Sequence, residues 1–310
     1  HKRLSRLIQI RLNRRMFNNV EHWFKQLNKT LEQAKRIYEE FRLYSLGSYA
    51  LNLLTPRQGY TVQSNIAYGL RARHRLDLYR TTTARSQRPL MVFVHGGAWS
   101  RGDKQDYRFV GEAFAKEGFD VAVMNYQLAP QHIFPTYIDD LTLALNYLTQ
   151  QQHKLGISTA QLVLMGHSAG AFNVMSLLYH PQPYALSCKD HIRAIIGLAG
   201  PYHFDYKDDP LCADAFDQDV PYQDVMPYYF VKPNSVKHYL LVAEKDQIVG
   251  AYNATDFDHV LKKYGNHSEI IVIPKTGHVS VMASVSSLFS RFFATKRQIM
   301  RALDQALNDA

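Results

Sequence analysis

Only two cysteines, Cys188 and Cys212, stand in a chain of 310 residues. Two thiols exclude a disulfide framework and a cysteine-based metal cluster, leaving either one bridge in an oxidising compartment or a pair of inert buried side chains. Long hydrophobic runs are missing as well. No window comes near the ~18 consecutive apolar residues of a membrane-spanning helix, and the longest stretches are short ones such as Leu90–Val94. Repeats and low-complexity tracts are absent, and 46% hydrophobic against 20% charged residues excludes a disordered or collagen-like chain. Acidic side chains are in deficit, 27 against 36 basic ones, for a formal charge of +9.

That deficit is local. Residues 1–45 hold eleven basic and four acidic side chains, a net +7, which leaves +2 for the other 265. A basic footprint for nucleic acid is therefore not expected on the body, and an anionic partner belongs at the N-terminus. There Leu4, Ile8, Leu12 and Met16 recur every fourth residue, with Arg3, Arg6 and Arg14 off that line. This is the pattern of a basic amphipathic helix suited to peripheral membrane or oligomer contact. Val20, Phe24, Leu27, Leu31, Ala34, Tyr38 and Phe41 then alternate spacings of four and three and predict one long helix to about Tyr44. The chain opens on His1 rather than Met. A cytoplasmic location is the default expectation, which an upstream signal or anchor would change to periplasmic or membrane-associated.

From residue 46 onward one domain is expected. Thr61–Tyr68 and His74–Tyr79 alternate with period two and predict a pair of antiparallel strands at a sheet edge. Buried strands are predicted at Leu90–Val94, Val121–Tyr126, Leu162–Met165, Ala194–Ala199, Tyr239–Ala243 and Ile270–Ile273. Helical stretches near 107–117, 137–152, 170–179, 253–264 and 280–307 separate them. Continuous apolar strands alternating with helices predict an α/β fold with a mostly parallel sheet covered on both faces.

Gly166-His167-Ser168-Ala169-Gly170 falls between one such strand and the helix that follows, the setting in which G-x-S-x-G forms a nucleophile elbow. Turning from strand to helix in so few residues strains the backbone of Ser168, and side chains two positions away would collide, hence the glycines. His95-Gly96-Gly97-Ala98-Trp99 closes another strand. Its small residues leave backbone N–H groups open to substrate, so Gly97, with Ala98 as the next candidate, is expected to form an oxyanion hole with Ala169. His95 is expected to brace this loop rather than react.

Serine needs a base, and the base needs a carboxylate to fix its tautomer and to stabilise its imidazolium. Asp246 and the rival Glu244 follow one strand, and His278 follows the next; His267 precedes its strand and belongs at the opposite end of the sheet. Residues 202–230 are rich in rings and interrupt the alternation, so a cap is expected over about 202–235. Its Tyr202 and Phe204, with Trp99 and His167, are candidate pocket residues. Asp103 and Lys104 are read as a loop-fixing ion pair, and Asp139 and Asp140 as caps of the following helix.

His-Gly-Gly-Ala-Trp with Gly102-Asp103-Lys104, Asn125-Tyr126-Gln127-Leu128-Ala129-Pro130 leading to Phe134-Pro135 and Asp139-Asp140, and the Ser168 elbow occur in that order. Over about residues 50–295 the chain resembles bacterial carboxylesterases of the hormone-sensitive-lipase-like α/β-hydrolase group, relatives of kynurenine formamidases and isoprenylcysteine methylesterases. The stretch from Leu51-Asn52 to Tyr79 is similar to their lead-in. The resemblance implies an α/β-hydrolase fold in which Ser168 is nucleophile, Asp246 acid and His278 base, with no metal and no cofactor. It implies a small-molecule ester as substrate, with an amidase or formamidase, or a non-catalytic binding protein on the same scaffold, as the alternatives. A membrane-bound N-terminus would make it a lipid-ester hydrolase. Two departures stand out: many relatives carry Gly or an aromatic where Ala98 stands, and Arg where Gln127 stands. The basic extension has no counterpart in the usual pattern.

Overall fold

The computed structural model describes residues 47–308 together with Lys35 and Glu39, and the chain divides into two units at Leu43 and Tyr44. The helices predicted over residues 1–44, and the membrane or oligomer contact assigned to them, lie outside the described residues. No helix among the described residues is long and apolar enough to cross a membrane.

Eight strands form one sheet: β1 (Tyr60–Ala67), β2 (Arg75–Thr81), β3 (Leu90–Val94), β4 (Asp120–Met124), β5 (Leu162–His167), β6 (Ile192–Leu198), β7 (Lys237–Ala243) and β8 (Ser268–Ile273). Their order is β1-β2-β4-β3-β5-β6-β7-β8. The β1–β2 and β2–β4 pairs are antiparallel and the other five are parallel. The predicted antiparallel pair stands at the sheet edge: β1 is outermost, exposed along most of its length, and β2 lies between it and β4.

Five main helices cover the sheet: α1 (Arg108–Ala115), α2 (Thr136–Gln150), α3 (Ala169–Leu178), α4 (Tyr252–Lys263) and α5 (Thr295–Asn308). Side-chain alternation along β3 divides the core. Leu90, Val92 and Val94 join one apolar cluster with Ile138, Leu141, Phe172 and Phe257 from α2, α3 and α4. Met91 and Phe93 point the other way, into a cluster with Phe109 of α1 and Ile299 and Leu303 of α5. Each such Leu, Ile or Phe, once fully buried, contributes about 1.5–3 kcal/mol.

The stretch predicted as one helix over 280–307 is not continuous. A single turn, Ser280–Ala283, is followed by irregular chain until α5 begins at Thr295. No Gly or Pro marks the break. The N–H groups of Val285, Ser286, Phe289 and Phe292 bond carbonyls three residues back, so the segment runs as successive turns, while Ser284 Oγ bonds the Val281 carbonyl and lies 2.6 Å from Thr295 Oγ1, and Ser287 Oγ donates to the buried Glu112 carboxylate.

Candidate active site

Only Ser168 separates the end of β5 from the start of α3. Ser168 adopts φ 54° and ψ −120°, a conformation that costs a non-glycine residue about 1–3 kcal/mol. Its N–H donates to the Leu198 carbonyl on β6 at 2.8 Å, which helps hold the strained residue in place. A Cβ on Gly166 would lie 2.2 Å from the Gly170 carbonyl oxygen, and one on Gly170 would lie 2.0 Å from the Val94 carbonyl oxygen. Backbone meets backbone at both points, so the spacing of the two glycines is steric. The Ser168 side chain stands at the N-terminus of α3, where the helix dipole favours negative charge.

Two loops bring the expected partners to it. His278, in the loop after β8, places Nε2 2.8 Å from Ser168 Oγ. Its Nδ1 lies 2.9 Å from Asp246 Oδ2, beyond the end of β7. Nδ1 facing a carboxylate is the protonated nitrogen, which leaves Nε2 with a lone pair toward the serine hydroxyl. The other carboxylate oxygen of Asp246 accepts the N–H groups of Ile248 and Val249, each at 2.9 Å. Burial alone would raise this carboxyl, but the His278 hydrogen bond and charge, with the two N–H groups, bring it below the ordinary carboxylate range. The rival Glu244 instead accepts the Lys275 N–H at 2.8 Å from an exposed position. The His267 carbonyl accepts the backbone N–H of His238 at the start of β7, at the far end of the sheet from Ser168.

The loop after β3 passes over the nucleophile in an unusual conformation. Gly97, Ala98 and Trp99 all have positive φ, at 124°, 49° and 57°. A Cβ on Gly97 would come 2.2 Å from the Arg101 carbonyl oxygen, so this position requires glycine on two counts. Among the described residues no acceptor engages the N–H of Gly97, Ala98 or Ala169. His95 is fully buried and stacks on Tyr126 and Tyr107, and burial pushes its imidazole down to about 4; it braces the loop. Tyr126 donates its hydroxyl to the His95 carbonyl at 2.9 Å, and the Ala129 N–H donates to the Trp99 carbonyl at 2.9 Å.

Asp103 and Lys104 do not pair with each other. Lys104 crosses to Asp77 on β2, Nζ to Oδ1 2.8 Å, with both side chains buried, and also bonds Asn65 Oδ1. Asp103 accepts from Asn125 Nδ2 at 2.8 Å, caps the turn at Gln105 and approaches Arg73. Arg73 in turn donates to the carbonyls of Tyr126 and Gly102. The loop is fixed by two cross-links to other segments, which adjacency in sequence hides. Asp139 and Asp140 are likewise not caps, because α2 starts earlier, at Thr136. Buried Asp140 accepts from His74 Nε2 at 2.8 Å and the Gln127 N–H at 2.7 Å, and Asp139 accepts from the Tyr184 hydroxyl.

Residues 202–235 contain only short 3-10 turns. Phe216 is their hub, with ring centroids 4.8 Å from Trp99, 5.8 Å from Phe172 and 4.5 Å from Tyr206. Trp99 is buried and donates Nε1–H to Asn173 Oδ1. Tyr202 is buried and stacks on Phe257, whereas Phe204 is half-buried beside Phe216. His167 is buried with its ring 5.1 Å from that of His278. Sequence reasoning counts Phe216 among the cap's rings without its contact to Trp99, and misses Asn173 and Arg73, whose roles come from distant packing. Cys188 and Cys212 are free buried thiols, both pushed up by burial.

The sheet order and the elbow define an α/β-hydrolase fold. The family model described as BD-FAE matches residues 76–261, and the chain belongs to that family. A kynurenine formamidase of Drosophila melanogaster is 26% identical over 238 residues, which span 74% of this chain and 78% of that protein. A probable isoprenylcysteine alpha-carbonyl methylesterase of Arabidopsis thaliana is 31% identical over 178 residues, 52% of this chain and 42% of the relative. Among solved structures, an inhibited esterase B from Lactobacillus rhamnosis superposes with a TM-score of 0.72 at 16% identity, covering 90% of this chain and 97% of that one, a likeness of fold.

Proposed function

We propose that the protein is a serine carboxylesterase. The observation that carries this is the unbroken relay Asp246 Oδ2, His278, Ser168 Oγ, with contacts of 2.9 and 2.8 Å. His278 Nε2 takes the hydroxyl proton as Ser168 Oγ attacks the ester carbonyl carbon, and the carbonyl oxygen becomes an oxyanion facing the N–H groups of Gly97 and Ala169, with Ala98 adjacent. Collapse returns that electron pair, breaks the bond to the alkoxy oxygen, and His278 gives its proton to the departing alcohol. Water, deprotonated by His278, attacks the acyl-enzyme in the same way and releases the acid. Asp246 stays ionised throughout, consistent with its depressed carboxyl. The ring-rich wall of Trp99, Phe204 and Phe216 suits small to medium apolar or aryl esters.

A fluorophosphonate probe tests the mechanism: it should label the wild type and leave Ser168→Ala unlabelled, with ester turnover falling by about 10⁴-fold or more. Labelling of both proteins, or of neither, favours a non-catalytic binding protein. The similarity to a formamidase supports a second reading, since the same relay cleaves amides. A p-nitrophenyl ester series run beside N-formylkynurenine separates the two, and formamide turnover far above every ester would replace the esterase reading.

A further inference from the structure

The proposed nucleophile's neighbour, His167, has no part in the proton relay, yet it touches the base. Its Nε2 lies 2.8 Å from the main-chain carbonyl oxygen of His278. A carbonyl only accepts, so Nε2 carries the ring proton and Nδ1 is a bare lone pair. That Nδ1 has no partner among the described residues; it lies against Gly96, where an added Cβ would come 3.1 Å from it. The side chain is 3% exposed, so a second proton would be a buried charge without an acceptor, beside a ring that itself becomes cationic in the reaction. Burial first, and then the charge of His278, push the imidazole down to about 3, against the weaker pull of the carbonyl and of Asp246.

The loop that holds His278 is tied to the body on its N-terminal side, through Lys245 N–H to the Thr276 carbonyl and Thr276 Oγ1 to the Ile273 carbonyl. Among the described residues, the tie at His278's own carbonyl comes from His167. We propose that His167 is a positioning residue for the base: its Nε2–H anchors the main chain of His278 to the end of β5, while Asp246 orients the ring from the end of β7. Because His167 immediately precedes Ser168, both ends of the proton transfer are fixed to one strand. This rests on the serine-esterase reading above.

The test compares His167→Met with His167→Gln in the full chain. The two side chains are of similar length and volume, and only glutamine keeps an N–H donor at that reach. With p-nitrophenyl butyrate, kcat of His167→Met should fall about 10- to 100-fold with KM within about twofold, and His167→Gln should recover to within about fivefold of wild type. Equal activity of Met and wild type, equal impairment of Met and Gln, or a loss confined to KM overturns the proposal. A measurement on the wild type needs no variant to fold. Imidazole ¹⁵N NMR should show His167 as the neutral Nε2–H tautomer from pH 5 to 8, and an Nδ1–H tautomer or an imidazolium there overturns the anchor. Absence of fluorophosphonate labelling in the wild type would instead remove the esterase reading and leave the tautomer result standing.

Discussion

One histidine–hydroxyl pair stands at the start of β7 and a second beyond the far ends of β5 and β8, and the two pairs differ in their third member. In the first, His238 Nε2 lies 2.8 Å from the Tyr179 hydroxyl, while Nδ1 donates to the His267 carbonyl at 2.9 Å. In the second, Asp246 takes Nδ1 of His278, whose Nε2 lies 2.8 Å from Ser168 Oγ. The two imidazole contacts match to within about 0.1 Å, so a histidine touching a hydroxyl does not by itself make a base. A carbonyl offers His238 a dipole, and burial pushes that ring down to about 4. A carboxylate offers His278 a full negative charge, which stabilises the imidazolium that a proton transfer creates. The first pair is a strut in the core; under the proposed mechanism the second is the one that changes charge.

Moving the carboxylate gives the largest effect. Asp246→Asn can present an N–H to Nδ1 and select the wrong tautomer, so kcat should fall by about 10³- to 10⁴-fold, while Glu244→Gln stays within about twofold. Steady-state kinetics on the pair decides, and a larger loss at Glu244 would reverse the assignment of the acid.

Acid lability is the intermediate effect. His95 and His238 are held down to about 4 and His167 to about 3, against about 6.5 once unfolded. Below pH ~6.5 the unfolded chain therefore binds more protons than the folded one. Stability is complete above that pH and is lost as pH falls toward 4, by about 1.4 kcal/mol per pH unit for each of these histidines. Asp246, with its depressed carboxyl, adds stability above the ordinary carboxylate pKa that is lost at still lower pH. Urea midpoints at pH 7.5 and 5 should differ clearly, and identical midpoints would mean that the buried rings are not neutral struts.

The smallest effect is the converse of the first. His238→Phe removes the acceptor of Tyr179 and leaves a buried hydroxyl, costing about 1–3 kcal/mol of stability by urea titration. Its kcat should stay within about twofold of wild type. A tenfold loss of kcat at full stability would break the distinction between strut and base.

Much of this was legible in local sequence. Strand β3 was read to its exact ends, since five consecutive apolar residues buried on both faces leave no other boundary. Ser168 was placed by two glycines whose spacing is forced by backbone contact, and Asp246 and His278 by their position just past strand ends. What stayed hidden depends on partners far along the chain. Lys104 finds Asp77 at a separation of 27 residues, and Phe216 finds Trp99 across more than a hundred. The predicted helix over 280–307 gives way to turns between Ala283 and Thr295 with no Gly or Pro to announce it. Asp139 and Asp140 look like caps only until α2 is seen to begin three residues sooner.

The contact between Gly170 and the Val94 carbonyl has a consequence for how such a protein can change. With a Cβ at position 170 only 2.0 Å from that oxygen, the elbow and the β3 loop abut main chain to main chain. The spacing between the elbow and the β3 loop is thus set by the polypeptide backbone, whereas the rings packed on Trp99, such as Phe216, are exchangeable side chains. Under the proposed esterase reading, substitutions among those rings can alter which molecules are accepted while the backbone spacing behind them keeps its width.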